Sequence, residues 1–357
     1  MGPLSQHTQY PPKERRSRER LRVVAMGGGT GLSTLLAGLK RYVAVPGKPL
    51  PANPEDPIIS RLSAVVTVTD DGGSSGRLRK ELNMLPPGDI RNCIVALSED
   101  EALLSKLFRH RFEKGSGLEG HSFGNLFLAA LTSMTKDFSE AVRLSSEILA
   151  TRGHIYAATA SNVELEALMD DGRRVRGETK ITASHGRIKE LFLVPPNVEP
   201  LAGTLEAIAH ADLITMGPGS LFTSLTPNLL VHGIPAAIEA SPAVKVYICN
   251  LMTQANESLG RTAADHIRVL FAHAGKRIFD YALINTTPAA PSMKAKYALE
   301  GATQVVADCE AIEELGVKPI LGDYLGEGNI ARHANDRIAH DLLQLARANS
   351  LQAAKSV

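Results

Sequence analysis

The stretch "VVAMGGGTGLSTLLAGL", residues 23–39, limits the fold more than any other part of this 357-residue chain. Val23 to Met26 run into Gly27, Gly28 and Gly29, then into Thr30, Gly31, Leu32 and Ser33, then into apolar residues at helical spacing. That order reads as a strand, a glycine turn and a helix. Such a turn lets the backbone approach an anion, and the first amides of the helix meet it with the positive end of the dipole. Thr30 and Ser33 add hydroxyl donors. The spacing matches neither common glycine fingerprint. A dinucleotide turn needs glycine at i, i+2 and i+5, but counting from Gly27 the third place is Leu32, and from Gly29 it is Thr34. A P-loop needs a lysine that does not appear before Lys40.

The same alternation continues down the chain. "LSAVVTVTD", "DLITMGPGS", "VKVYICN", "DYALIN" and "TQVVAD" read as further strands. Helical patterns fall between them at 33–42, 90–98, 101–110, 126–134, 138–149 and 203–210. The expected class is α/β, a Rossmann-like three-layer αβα fold with a mostly parallel sheet. "VELEALMDDGRRVRGE" alternates polar and apolar residues around Asp171-Gly172, which predicts a small antiparallel hairpin extension. "VPGKPLPANPEDP" carries five prolines and reads as an exposed loop.

Residues 1–20 stand apart. Lys13, Arg15, Arg16, Arg18 and Arg20 outnumber Glu14 and Glu19, with no apolar stretch, so this segment is expected to be a disordered basic tail. A single domain is expected over 21–345 and a flexible C-terminus over 346–357. The formal net charge of +1, the absence of Trp and 4% aromatic residues give no push toward nucleic acid. Cys93, Cys249 and Cys309 form no CxxC pair and read as reduced thiols of a cytoplasmic protein. No apolar run reaches the ~20 residues of a membrane span.

Polar clusters fall where open α/β sheets bind ligands, beyond the carboxyl ends of strands. In "TDDGGSSGRLR", Asp70 and Asp71 end a strand before a loop with Ser74 and Ser75. One of these carboxylates is placed for a ribose or a divalent ion. "LPPGDIRNC" sets Asp89, either an N-cap or a ligand contact, and Asn92 at a helix start. "EGHSFGNLFLAAL" presents His121 and Asn125, the latter read as a helix cap. "ITMGPGSLFTSLTPNLL" repeats the chemistry of the first turn with Gly217, Gly219, Ser220 and Thr223, followed by Asn228. Two anion-type turns in one sheet suggest a ligand with two phosphates, or a phosphate and a carboxylate. Tyr297 and Arg332 offer a ring face and a guanidinium fork for the rest of that ligand.

Together, "GGGTGLS", "TDDGGSSGRLR", "PPGDIRNC", "GHSFGNL", "GPGSLFTSLTPNLL" and "CNLMTQ" resemble the signature blocks of the gluconeogenesis factor family. That family shares a superfamily with 2-phospho-L-lactate transferase, and the blocks keep one order from about residue 21 to near 345. The resemblance implies a Rossmann-like core, a cytoplasmic bacterial protein and binding of a UDP-sugar such as UDP-N-acetylglucosamine. It also implies a role in cell shape and envelope synthesis during growth on gluconeogenic carbon sources. By this resemblance Gly28, Gly29, Thr30 and Gly31 match the first nucleotide loop, and Gly217, Gly219 and Ser220 the second. Asp70 and Asp71 match the acidic strand end, and His121 and Asn125 the His-Asn block. Two readings follow. One is a nucleotide-sugar-binding regulatory factor; the other is a phospho-group transferase in which Asp70 or Asp71 holds Mg²⁺. Expected partners are the UDP-sugar, further copies of the chain and a cell-envelope or metabolic protein, with no nucleic acid and no membrane insertion.

Overall fold

Val23, Val24, Ala25 and Met26 are each 2% exposed or less, so the first strand is covered on both faces. A strand covered on both faces needs unbroken apolar sequence, as parallel strands between helix layers do. The computed structural model describes residues 20–44, 58–99 and 103–355, with side chains through 350. The proline-rich loop and residues 1–19 of the basic tail lie outside the described residues.

Seven parallel strands form the main sheet: β1 (Arg20–Gly27), β2 (Ile58–Val66), β3 (His154–Ala157), β7 (Leu213–Met216), β8 (Val244–Ile248), β9 (Tyr281–Asn285) and β10 (Lys318–Gly322). Their order is β10-β9-β8-β7-β1-β2-β3. The chain moves outward from β1 to β3, then crosses back to β7 and moves outward the other way. The order therefore reverses between β1 and β7, and the crevice beyond their carboxyl ends is where such sheets take ligands. The smaller sheet holds β4 (Glu164–Met169), β5 (Arg174–Arg176) and β6 (Ile188–Val194), all antiparallel. β4 and β5 are the hairpin expected around Asp171-Gly172.

The helices that place the site are α1 (Gly29–Leu39), α2 (Gly73–Leu82), α3 (Gly88–Leu97), α4 (Leu103–Arg109), α5 (Phe123–Thr135), α6 (Phe138–Ile148) and α7 (Glu178–Ala183). α1 packs against α3 and the last helix, Asn335–Lys355. That helix runs past the boundary expected at 345, because Ile338, Leu342, Leu343 and Ala346 bury one stripe in the core. "TQVVAD" is not a ladder strand: Gln304 makes one isolated bridge to Met252, and the hydroxyl of Thr253 clasps Thr303. Gly73 to Gly76, read as loop, open α2 instead, so Ser74 and Ser75 lie in a helix first turn. Among the described residues no single helix is long and apolar enough to cross a membrane.

Candidate functional site

At the switch point the two glycine turns touch. Gly28 caps α1 in extended backbone, and a Cβ there would lie 2.5 Å from the Thr67 methyl. A Cβ on Gly31 would stand 2.2 Å from the carbonyl oxygen of Pro218, in the turn after β7. Only glycine permits that approach. The Gly217 N–H donates to the Met26 carbonyl, and Asn228, fully buried, donates to the Ser224 carbonyl at 2.9 Å. Asn228, expected at a ligand, braces the second turn through its Nδ2, while its buried Oδ1 has no partner.

A cleft of about 1040 Å³ opens on the α1 side of these turns. Thr30, Gly31 and Ser33 of α1, Asn92 of α3, Pro218 and Arg332 all line it. Its cations are Lys40, Arg41, Arg109, Arg152 and Arg332, against one carboxylate among the described residues, Glu99. Arg41 pairs with Asp336 and Arg152 with Glu99. Arg109 and Arg332 have no acidic partner among the described residues. The first-turn amides of Thr30 and Gly31 have no carbonyl within α1 to bond. The cleft thus joins a helix N-terminus to a cationic wall, which is the chemistry of a polyanion seat.

Arg332 is held from three sides. The Tyr297 hydroxyl accepts the Ala331 N–H at 3.2 Å, the Arg332 carbonyl accepts Gly326 N–H at 2.7 Å, and His333 Nε2 donates to the Cys249 carbonyl at 3.0 Å. Burial pushes His333 down to about 4, so it holds that bond as a neutral imidazole. Tyr297 packs with Leu251, Met252, Ala289 and Met293 and does not line the cleft. Tyr297 was expected to offer its ring to the ligand; here it fixes the loop that presents Arg332.

Carboxyl groups crowd the other side of the turns. Asp89 Oδ2 accepts the Gly29 N–H at 2.7 Å, so the protein's own carboxylate already occupies one amide of the first turn. Burial raises Asp89 to about 6, partly offset by that bond. An incoming anion is left the amides of Thr30 and Gly31, which face the cleft. Asp70 accepts the Gly72 N–H and lies close to Asp89 and Ser75 around Gly88. Asp71 Oδ1 accepts both the N–H and the hydroxyl of Thr179, at 2.8 and 2.6 Å, at the start of α7. Asp71, expected as a metal ligand, is a cap. Among the described residues no three carboxyl, imidazole or thiol groups converge for a metal. This side-chain set does not fit a Mg²⁺ centre by itself.

Ser74 and His121 bond at 2.8 Å, and Asn125 donates to Ser74 at 3.1 Å. All three are buried, and they tie α2 to α5. Burial, then the charge of Arg77, lowers the His121 pKa. The cap of α5 is Ser122 and not Asn125, since the Ser122 side chain accepts the Asn125 N–H. Arg91 clamps this block to the cleft by donating to Ser122 and to the Asn92 side chain.

Three groups escape a reading of motifs. Burial, then Asp70 and Asp89, raise Glu178 to about 9, while burial raises Glu257 to about 7 against a bond from Thr223. Gln254 donates to Ser220 at 2.9 Å. Glu178 binds a proton in the folded chain through a window where the unfolded chain, near 4.3, has lost it. Folding stability should therefore fall between about pH 7 and about pH 8.5, by up to ~2 kcal/mol. Buried His266 and His333, lowered to about 4, oppose this trend only below their unfolded value of about 6.5. Urea unfolding at both pH values should show the full decline in wild type and a clearly smaller one in Glu178→Gln, the remainder coming from Glu257 and the buried thiols of Cys93 and Cys249, all held up by burial. An equal decline in that variant would refute the assignment.

The model of the family described as 2-phospho-L-lactate transferase CofD matches residues 23–325. A Halalkalibacterium halodurans protein named gluconeogenesis factor is 47% identical over 324 residues, covering 90% of this chain and 95% of its own. A Bacillus subtilis protein of the same name is 46% identical, covering 91% and 96%. A crystal structure of a Bacillus halodurans protein superposes with a TM-score of 0.85 at 46% identity, covering 91% of this chain and all of that one. The chain belongs to the 2-phospho-L-lactate transferase CofD family, among relatives named gluconeogenesis factor.

Proposed function

We propose that the chain binds a nucleoside diphosphate sugar in the cleft and serves as a regulatory factor for growth on gluconeogenic carbon sources. The observation that carries this reading is the cleft itself. Two glycine turns in contact, open helix amides at Thr30 and Gly31, and a pinned Arg332 converge on one space. At about 1040 Å³ the cleft has the volume for a nucleotide. A uridine base and an N-acetylhexosamine are what the motif resemblance implies, and the relatives' shared name supports the metabolic setting. The transferase reading is favoured by the family description alone. Of its two candidate Mg²⁺ ligands, Asp71 is taken up as a cap at Thr179, which leaves Asp70, beside Asp89.

Titration calorimetry against UDP-, GDP- and ADP-sugars, with and without Mg²⁺, tests the proposal. Saturable binding of a UDP-sugar without metal supports it. Absence of binding to every nucleotide sugar, or product formation dependent on Mg²⁺, would overturn it in favour of no ligand or of the transferase.

A further inference from the structure

The segment after β8 lies along the second glycine turn and meets it with three side chains in succession. Asn250 Oδ1 accepts the Gly219 N–H at 3.4 Å, Gln254 donates to the Ser220 hydroxyl at 2.9 Å, and the Glu257 carboxyl accepts the Thr223 hydroxyl at 3.1 Å. Asn256 then donates to the Thr182 carbonyl, which ties the segment to α7. After these bonds, two buried acceptor atoms have no partner: Gln254 Oε1 and Glu257 Oε2. Glu257 is 6% exposed, so its second oxygen is out of reach of bulk water. An unmet buried acceptor costs about 1–3 kcal/mol, and a segment that keeps two such atoms within four residues is built for partners supplied from outside.

The surroundings narrow which donors. Glu178 feels Asp70, Asp89, Asp71 and Glu257. Every one of these groups is an acceptor or a carboxyl. The cations line the cleft, while Glu178 and Glu257, raised to about 9 and about 7, stand here largely as neutral acids, so the diphosphate belongs in the cationic cleft and this wall belongs to the uncharged, hydroxyl-bearing part of the ligand.

We propose that Gln254 and Glu257 are the specificity-determining residues that read the sugar hydroxyls of the nucleotide sugar, on the opposite side of the second turn from its phosphates. The inference rests on the cleft being a nucleotide-sugar site. Hydroxyls, which both donate and accept, satisfy the Gln254 oxygen and either protonation state of Glu257 without bringing charge, and a ligand that lacks the sugar leaves them unmet. Sites built to bond a hydroxyl discriminate strongly against the analogue without it.

The test compares two ligands, UDP and UDP-N-acetylglucosamine, on wild type, Glu257→Leu and Gln254→Met, with thermal melting as the check on folding. Wild type should prefer the sugar nucleotide. Each variant should lose about ten-fold or more of its affinity for it and keep its affinity for UDP within about two-fold. Gln254→Met preserves volume at a partly exposed position and stands in if Glu257→Leu does not fold. Equal losses for both ligands, or no loss for either, would overturn the sugar subsite while leaving nucleotide binding in place. If wild type binds neither ligand, the nucleotide-sugar reading itself fails.

Discussion

Gly31→Ala should cost about 3 kcal/mol of stability and reduce nucleotide-sugar affinity by about 100-fold or more. The added methyl would sit 2.2 Å from the Pro218 carbonyl oxygen and 2.7 Å from its carbon. Both contacts are with backbone, so no rotamer can relieve them and the two turns must separate. Separation moves the amides of Thr30 and Gly31 away from Arg332, which is why binding fails with stability. Gly29→Ala is the informative control. Gly29 has a φ of +63°, but a Cβ there would meet only the Ser224 hydroxyl, at 3.6 Å. It should cost about 1 kcal/mol for the left-handed backbone and leave the turns in contact. Urea unfolding and calorimetry on both variants check the pair. A stable Gly31→Ala protein with unchanged affinity would remove the contact between turns from the account.

Arg332→Ala should weaken UDP-sugar binding by about 10- to 100-fold, the range of a charge-assisted bond to phosphate. Folding stability should barely change, because Arg332 is exposed and its loop is held by Tyr297, Gly326 and His333 through groups the substitution does not touch. Arg332→Lys should recover only part of the loss, since an ammonium keeps the charge but not the planar fork. The measurement is calorimetry at two salt concentrations. If Arg332 contacts phosphate, the alanine variant also shows a shallower salt dependence. Full affinity in Arg332→Ala would exclude it from the ligand.

Much of this was legible in the sequence because glycine, proline and aspartate mark backbone events directly. The strand, turn and helix of residues 23–39 stand where the residue order places them, and the second turn after β7 repeats them. β3, β6 and β10 left weaker signals. "HIYA" is four residues long, "KPILG" is an edge strand containing proline, and "IKELFLV" pairs with β4 across the intervening β5 and α7. Ser74 and Ser75 carried a loop-like composition but lie in a helix, because Gly76 packs its Cα against the Asp71 carbonyl and closes the first turn of α2. The site divides in the same way. Thr30, Gly31, Asn92 and Arg332, each expected at a ligand, line one cleft. His121, Asn125 and Asn228 brace neighbouring elements, and Asp71 caps a helix, since polar residues at strand ends serve either purpose and only the fold decides. Gln254 ends the signature block "CNLMTQ" and Glu257 lies three residues beyond it, and nothing in their spacing told which atoms would be left without partners.

The central claim is that the diphosphate of a nucleotide sugar sits on the Thr30 and Gly31 amides, under Arg332. Selective ¹⁵N labelling of glycine and threonine, with amide shifts followed during titration with UDP-N-acetylglucosamine, tests it most directly. Thr30 and Gly31 should show the largest shifts, Gly29 a smaller one because Asp89 already holds its N–H, and Gly172 and Gly275, outside the cleft lining, none. Saturable binding with Thr30 and Gly31 unmoved would contradict the account and place the phosphates elsewhere.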